Sequence, residues 1–286
     1  MFSQLSNLFK RHFLIFAKDK KRIFFTFMSP MIVLLCFALF ARNIYIGQMP
    51  KQTPEIIKNQ YADISLMIGL LSVTTFTNAI SLSSVMVTDS ERKILNDLYM
   101  TPVKTSVIRL SYLLFNIFLN ILITTLMYLI SIFWMLGNKT FIVNNQTTIP
   151  FQKGMYIWFS VIIGCILNSA IFVFIFSYVS NSAAFSALSA SLSGIAGFLI
   201  GAFVPLITFP RALAEISSLI PATQISNLIK YFALKDLSFI NQSNASFEFY
   251  ILLGQDIKWW GSLLYATSWI ALMFTLNFAI KVPKIR

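Results

Sequence analysis

The sequence predicts an all-α integral membrane protein. It would have six transmembrane helices, an N-terminal amphipathic helix at the interface, a cytoplasmic helix between spans two and three, and re-entrant segments before the last span. Three observations carry this prediction. Of the 286 residues, 57% are hydrophobic and only 11% charged, with a mean hydropathy of +0.75; soluble domains carry about 25% charged residues. Six apolar runs are each about as long as the ~20 residues that cross a bilayer as a helix. Lys and Arg concentrate in alternate connections between those runs, as the positive-inside rule requires of a multi-pass chain. The aromatic content of 15% is too apolar for disorder. The runs are continuously apolar, not alternating in ~10-residue units, which excludes a β-barrel.

Residues 1–22 form the first unit. Phe2, Leu5, Phe9, Phe13 and Phe16 recur at helical spacing, with Ser3, Asn7, Lys10 and Arg11 between them. That is the pattern of a helix lying in the membrane interface with a basic polar face. His12 falls in it and is expected at the interface, not as a ligand. No cleavable signal peptide is expected, since no small-residue cleavage site follows the first apolar run.

Residues 23–286 form the second unit, with spans at Ile23–Ala41, Ala62–Val87, Val107–Leu136, Met155–Val179, Ala183–Ile207 and Gly261–Ile280. Pro30 and several glycines fall inside them, which membrane helices tolerate when neighbours satisfy the freed backbone groups. Lys10, Arg11, Lys18, Lys20, Lys21 and Arg22 precede span one, Arg92, Lys93, Lys104 and Arg109 flank the second loop, and Lys281, Lys284 and Arg286 follow span six. The other three loops carry nine Lys and Arg over a greater length. Both termini and the Thr88–Ser106 loop are therefore expected in the cytoplasm. Ser180-Asn181-Ser182 is long enough only for a tight turn.

Three stretches stand out. In the second loop, Thr88 and Glu91 have capping-box spacing. Ile94, Leu95, Leu98 and Tyr99 form one apolar face, and Pro102 ends the predicted helix. Glu91 is expected either to cap this helix or to meet a cation on a partner. In span five, Ser186, Ala190, Gly194 and Ser193, Gly197, Gly201 place small residues at four-residue spacing, which lets helices approach closely. Beyond it, Pro205, Pro210 and Pro221 break an apolar stretch within an external region of about 205–260. The expected result is either external turns or short re-entrant helices. Trp259 and Trp260 mark the outer interface.

Much chemistry is absent. No Gly-Lys pair occurs, so there is no phosphate-cradling Walker A loop. From Gly154 to Pro210 there is no Asp, Glu, Lys, Arg or His, whereas ion-coupled transporters bury such groups to carry the ion. One histidine and two isolated cysteines, Cys36 and Cys165, offer no metal site or nucleophilic constellation. The net charge of +12 in so apolar a chain marks the cytoplasmic side, not a nucleic-acid surface. Energy for any active process must come from another chain.

In this order, the interfacial helix, the six spans, the loop from Glu91-Arg92 to Leu98-Tyr99-Met100-Thr101-Pro102-Val103, the small-residue span and the Pro205, Pro210, Pro221 pattern resemble the permease subunit of type 2 ABC exporters, especially the drug and antibiotic branch. Ile94-Leu95 stands where related loops often carry Gly-Thr. The resemblance implies a non-catalytic subunit, with no cofactor of its own, in a bacterial cell membrane. Two copies of an ATP-binding subunit would carry ATP and Mg, and a second permease would complete a homodimer or heterodimer in contact with membrane lipid. It further implies that a coupling helix at about 88–101 receives the ATP-driven motion, through Thr88, Asp89, Glu91, Arg92, Lys93, Leu95, Leu98 and Tyr99. Spans one, two and five would line the path or the subunit interface, with Phe27, Asn78, Ser189, Ser193, Gly197 and Gly201. The cargo would be hydrophobic or amphipathic: a drug, antibiotic, small peptide or lipid-like molecule. A polysaccharide or teichoic acid permease, an ion-independent facilitator and a non-transporting immunity or scaffold protein are the alternatives.

Overall fold

The structure is a computed structural model. It describes residues 2–48, 53–143, 146–201, 210–235, 251, 252, 255, 256 and 258–279. The helices are α1 (Phe2–Lys18), α2 (Lys20–Cys36), α3 (Arg42–Gln48), α4 (Glu55–Glu91), α5 (Ile94–Met100), α6 (Thr105–Gly137), α7 (Phe151–Phe176), α8 (Ser182–Leu199), α9 (Arg211–Ser218), α10 (Pro221–Leu234) and α11 (Trp259–Ala279). Two antiparallel strand pairs cap loops: β1 (Ile142–Val143) with β2 (Gln146–Thr147), and β3 (Ile251–Leu252) with β4 (Gln255–Asp256).

Six helical stretches among the described residues are long and apolar enough to cross a membrane. The first joins α2 to α3 through a π-helical turn at Phe37–Ala41. Asp19 separates it from α1 by accepting a hydrogen bond from the Arg22 amide at 3.0 Å, which caps α2. The second span, α4, has 37 residues, about 55 Å at 1.5 Å per residue, so it projects beyond the hydrocarbon core at one or both ends. The fifth span was expected to run to Ile207, and residues 202–207 of it lie outside the described residues. α8 stops at Leu199, and Gly201 takes a left-handed conformation with φ 66°, the usual way a helix terminates at a glycine. Lys230 donates to the Gly201 carbonyl at 3.0 Å, placing a cation at the carbonyl end of α8.

α4 is the axis of the bundle, buried from Gln60 to Thr75 without a break. α6 and α7 pack on it through side-chain amides as well as apolar surface. Asn120 donates to the Thr75 carbonyl at 2.9 Å, Asn168 to Thr75 Oγ1 at 3.1 Å, and Asn116 to the Ala79 carbonyl at 2.9 Å. Such bonds tie membrane helices together where apolar contact alone gives little preference over lipid. At one end Asp63, fully buried, accepts from Thr140 at 2.7 Å and Asn138 at 3.1 Å and pairs with Arg42 at 3.4 Å.

α10 is sunk among α4, α7 and α11, buried from Ala222 to Ile229. Pro221 begins it, where a missing amide hydrogen costs nothing. Pro210 precedes α9, and Pro205 lies outside the described residues. The approach of α10 to α7 depends on Gly164: a Cβ there would lie 2.7 Å from the Ile225 Cγ2 methyl. Gly164→Ala should therefore overpack this contact and cost about 1–3 kcal/mol, read as a lowered Tm of the purified chain. An unchanged Tm would mean that the two helices slide apart freely.

Candidate coupling surface and groove

The interfacial helix is not a simple lipid anchor. His12 is fully buried, and its ring stacks on Tyr112 of α6 with centroids 3.9 Å apart. Arg11 donates to Asp89 at 2.8 Å and reaches His12 Nδ1 at 3.2 Å, while Tyr112 donates to the same Asp89 oxygen at 2.5 Å. Since Nδ1 faces a guanidinium that can only donate, the proton sits on Nε2, which donates to Ser111 Oγ at 3.0 Å. The expectation of an interfacial His12 is thus corrected. The apolar stripe of α1 presents its buried edge, with Phe16, to α6 instead of to lipid.

Burial beside Arg11 pushes the His12 imidazole down to about 4, although Asp89 opposes this. A group lowered from its ordinary 6.5 takes up a proton when it is released. The docking of α1 is therefore at full strength above about pH 6.5 and weakens as pH falls toward 4. The protection factors of the α1 amides, corrected for the intrinsic pH dependence of exchange, should fall between pH 6.5 and 5 in the wild type. In His12→Phe that fall should vanish.

The capping-box expectation for Thr88 and Glu91 is overturned, because α4 runs through both. Thr88 Oγ1 donates back to the Ser84 carbonyl at 2.8 Å. Glu91 serves another helix end: it accepts from the Ser182 amide at 3.2 Å and from the Ser182 hydroxyl. A carboxylate thus sits at the start of α8, where the helix dipole favours it. The short turn between spans four and five therefore lies at the same end of the bundle as α5.

α5 starts after Lys93, whose φ of 62° reverses the chain, and ends before Pro102. Its apolar face points inward. Leu95 is buried, and Leu98, Tyr99 and Val103 pack on a cluster containing Phe16, Val85, Ile108 and Tyr112. Asp89 is likewise consumed by Arg11 and Tyr112. Leu95 and Asp89 are thus buried within the chain, and Leu98 and Tyr99 are half-buried against it. Arg92, Lys93, Asn96, Asp97 and Met100 are exposed, Met100 to 85%. Asn96, Asp97 and Met100 were not singled out from the sequence. Their signal was the polar side of the same periodicity.

Spans one, two and five do meet, in a groove of about 400 Å3. Phe25, Met28, Ser29 and Ile32 of α2, Thr77 of α4 and Ser193 of α8 line it, with no charged group. Ser193, one of the residues expected from the sequence, lines this groove, whereas Phe27 does not and packs on Leu34, Leu70 and Met127. Asn78 is buried, with neither amide atom hydrogen-bonded among the described residues, and does not reach the groove. Ser189 is half-buried and donates to the Ser186 carbonyl at 3.1 Å. Gly197 is buried within the chain, while Ser186, Ala190 and Gly194 form an exposed small-residue strip, with nothing within 4 Å of a Cβ at Gly194.

Among the described residues no group of His, Cys, Asp and Glu could hold a metal ion, and the groove between spans one, two and five carries no charged group. A helical bundle with six potential spans and an exposed polar helix face at one end is that of a multi-pass membrane protein. The family described as ABC-2 type transporter matches residues 3–231. The chain belongs to that family, as the membrane-spanning permease component of an ABC-2 transporter, which implies an ATP-binding partner. No curated protein matches the chain.

Proposed function

We propose that this chain exports a hydrophobic or amphipathic cargo, driven by two ATP-binding subunits and paired with a second permease, identical or related. The observation that supports this reading is the uncharged, hydroxyl-dotted groove between α2, α4 and α8. Its lining solvates apolar surface and offers weak hydrogen bonds, whereas an ion path would need ionisable or carbonyl ligands. The end carrying α1, α5, Glu91 and Ser182 faces the cytoplasm, because Lys10, Arg11, Lys18, Lys20, Lys21, Arg22, Arg92, Lys93, Lys104 and Arg109 gather there. The outward side of α5, with Arg92, Lys93, Asn96, Asp97 and Met100, receives the motion of the ATP-binding subunit. Glu91 acts from the neighbouring helix end by holding α8 to α4, which links that surface to the groove.

The purified chain alone should show no ATPase activity, and the reconstituted complex should show cargo-stimulated hydrolysis. Ser193→Trp, which fills the groove, should abolish stimulation by cargo while basal hydrolysis persists. Full stimulation in Ser193→Trp would remove the groove from the path.

A further inference from the structure

A second cleft of about 420 Å3 lies on the lipid-facing side, between the start of α6 and the end of α11. Leu110 and Leu113 of α6 and Phe274 and Phe278 of α11 make its walls almost wholly apolar, with Ser106 and Asn277 at its head. From Ser106 to Leu113 it runs roughly 10 Å along α6, from the helix end into one leaflet. Two cations stand beside the head residues Ser106 and Asn277 without lining the cleft themselves. Lys104 is exposed at the N-cap of α6, whose first turn holds no acidic residue to offset the helix dipole. Arg109 is only 6% exposed, and among the described residues no carboxylate pairs with it; NH1 donates to the Asn277 carbonyl at 3.2 Å. That bond uses one of five guanidinium donors. A buried cation without a counterion is costly, and an anion brought beside it relieves that cost. Asn277 Oδ1, also buried, has no donor among the described residues.

We propose that this cleft binds an anionic phospholipid, with an acyl chain along Leu110, Leu113 and Phe274 and the phosphate at Lys104, Arg109 and the first amides of α6. Basic pockets between membrane helices at the leaflet surface take anionic headgroups, and here the apolar wall continues directly from the head beside those cations. The site shares no lining residue with the groove, so it concerns how the bundle sits in its leaflet and not what the groove carries.

Native mass spectrometry of the full-length chain, presented with phosphatidylglycerol and phosphatidylcholine of identical acyl chains, tests this. The wild type should retain phosphatidylglycerol with about tenfold preference or more. Lys104→Gln should reduce that preference, and Lys104→Gln with Arg109→Gln should abolish it. Leu110→Trp, which fills the cleft without touching a charge, should lower retention of bound lipid. If Arg109→Gln fails to fold, Lys104→Gln and Leu110→Trp carry the test alone. Equal retention of the two lipids by the wild type, or an unchanged preference in Lys104→Gln together with unchanged lipid retention in Leu110→Trp, overturns the site.

Discussion

Asp89→Asn is expected to release α1 from the bundle. Among the described residues Asp89 is the one carboxylate beside Arg11, and Tyr112 donates to it from the other side. Asn could still accept from Tyr112, but it would turn either a weaker acceptor or an amide donor toward Arg11, leaving the guanidinium unmatched. Breaking a buried pair by removing one partner costs about 3–5 kcal/mol. Here the lower end applies, because the Arg11 side chain keeps 29% of its surface exposed and water screens part of the loss. His12 and Phe16 would lose their seat on Tyr112 and Phe115, since α1 carries both His12 and Phe16 together with Arg11. Limited proteolysis should then cut within residues 2–18 in Asp89→Asn but not in the wild type. Arg11→Gln should be milder, because Asp89 keeps its bond from Tyr112. Equal protection of α1 in both variants would mean that apolar packing alone holds it.

The second large effect lies on the other side of the same loop. Leu95 is buried where α5 meets α1, α4 and α6, so Leu95→Ala should cost about 2–5 kcal/mol by cavity formation. Leu98→Asp should cost more, because Leu98 packs on that cluster and Asp would bring a charge to it with no partner. Both should lower Tm of the chain in isolation, before any partner is added. Met100→Asp, on the exposed side, should leave Tm unchanged. If Leu98→Asp leaves Tm unchanged while Met100→Asp lowers it, the assignment of the two faces of α5 is reversed.

These two cases also show what the sequence could and could not tell. The spans were legible because a membrane imposes one strong requirement, about 20 apolar residues per crossing. The apolar face of α5 was equally legible as a face. Periodicity, however, reports that Leu95, Leu98 and Tyr99 share a side, not whether that side meets the same chain or another. Capping-box spacing misassigned Thr88 and Glu91 because it presumes where a helix begins, and α4 continues through both. The role of Glu91 at the start of α8 depends on a residue 91 positions away, and the pairing of Asp89 with Arg11 spans 78 positions. A carboxylate at the end of a membrane span does demand a cation, and the basic face of α1 was the nearest supply; that signal was present and unused. The glycines of span five divided for a reason that spacing cannot carry. Gly201 is required by its positive φ, Gly194 sits on an open strip, and Gly197 is buried inside the chain.

The central claim is that a separate ATP-binding chain drives this permease through the exposed side of α5. Its most direct test is the ATPase activity of the reconstituted complex in an Arg92→Glu, Lys93→Glu, Met100→Asp variant. The three changes touch only exposed side chains, so the permease should keep its wild-type Tm and insertion. The account predicts that this variant no longer retains the ATP-binding subunit on purification and that cargo no longer stimulates hydrolysis. Retention and cargo-stimulated hydrolysis at wild-type levels, in a variant with all three positions changed, would contradict it.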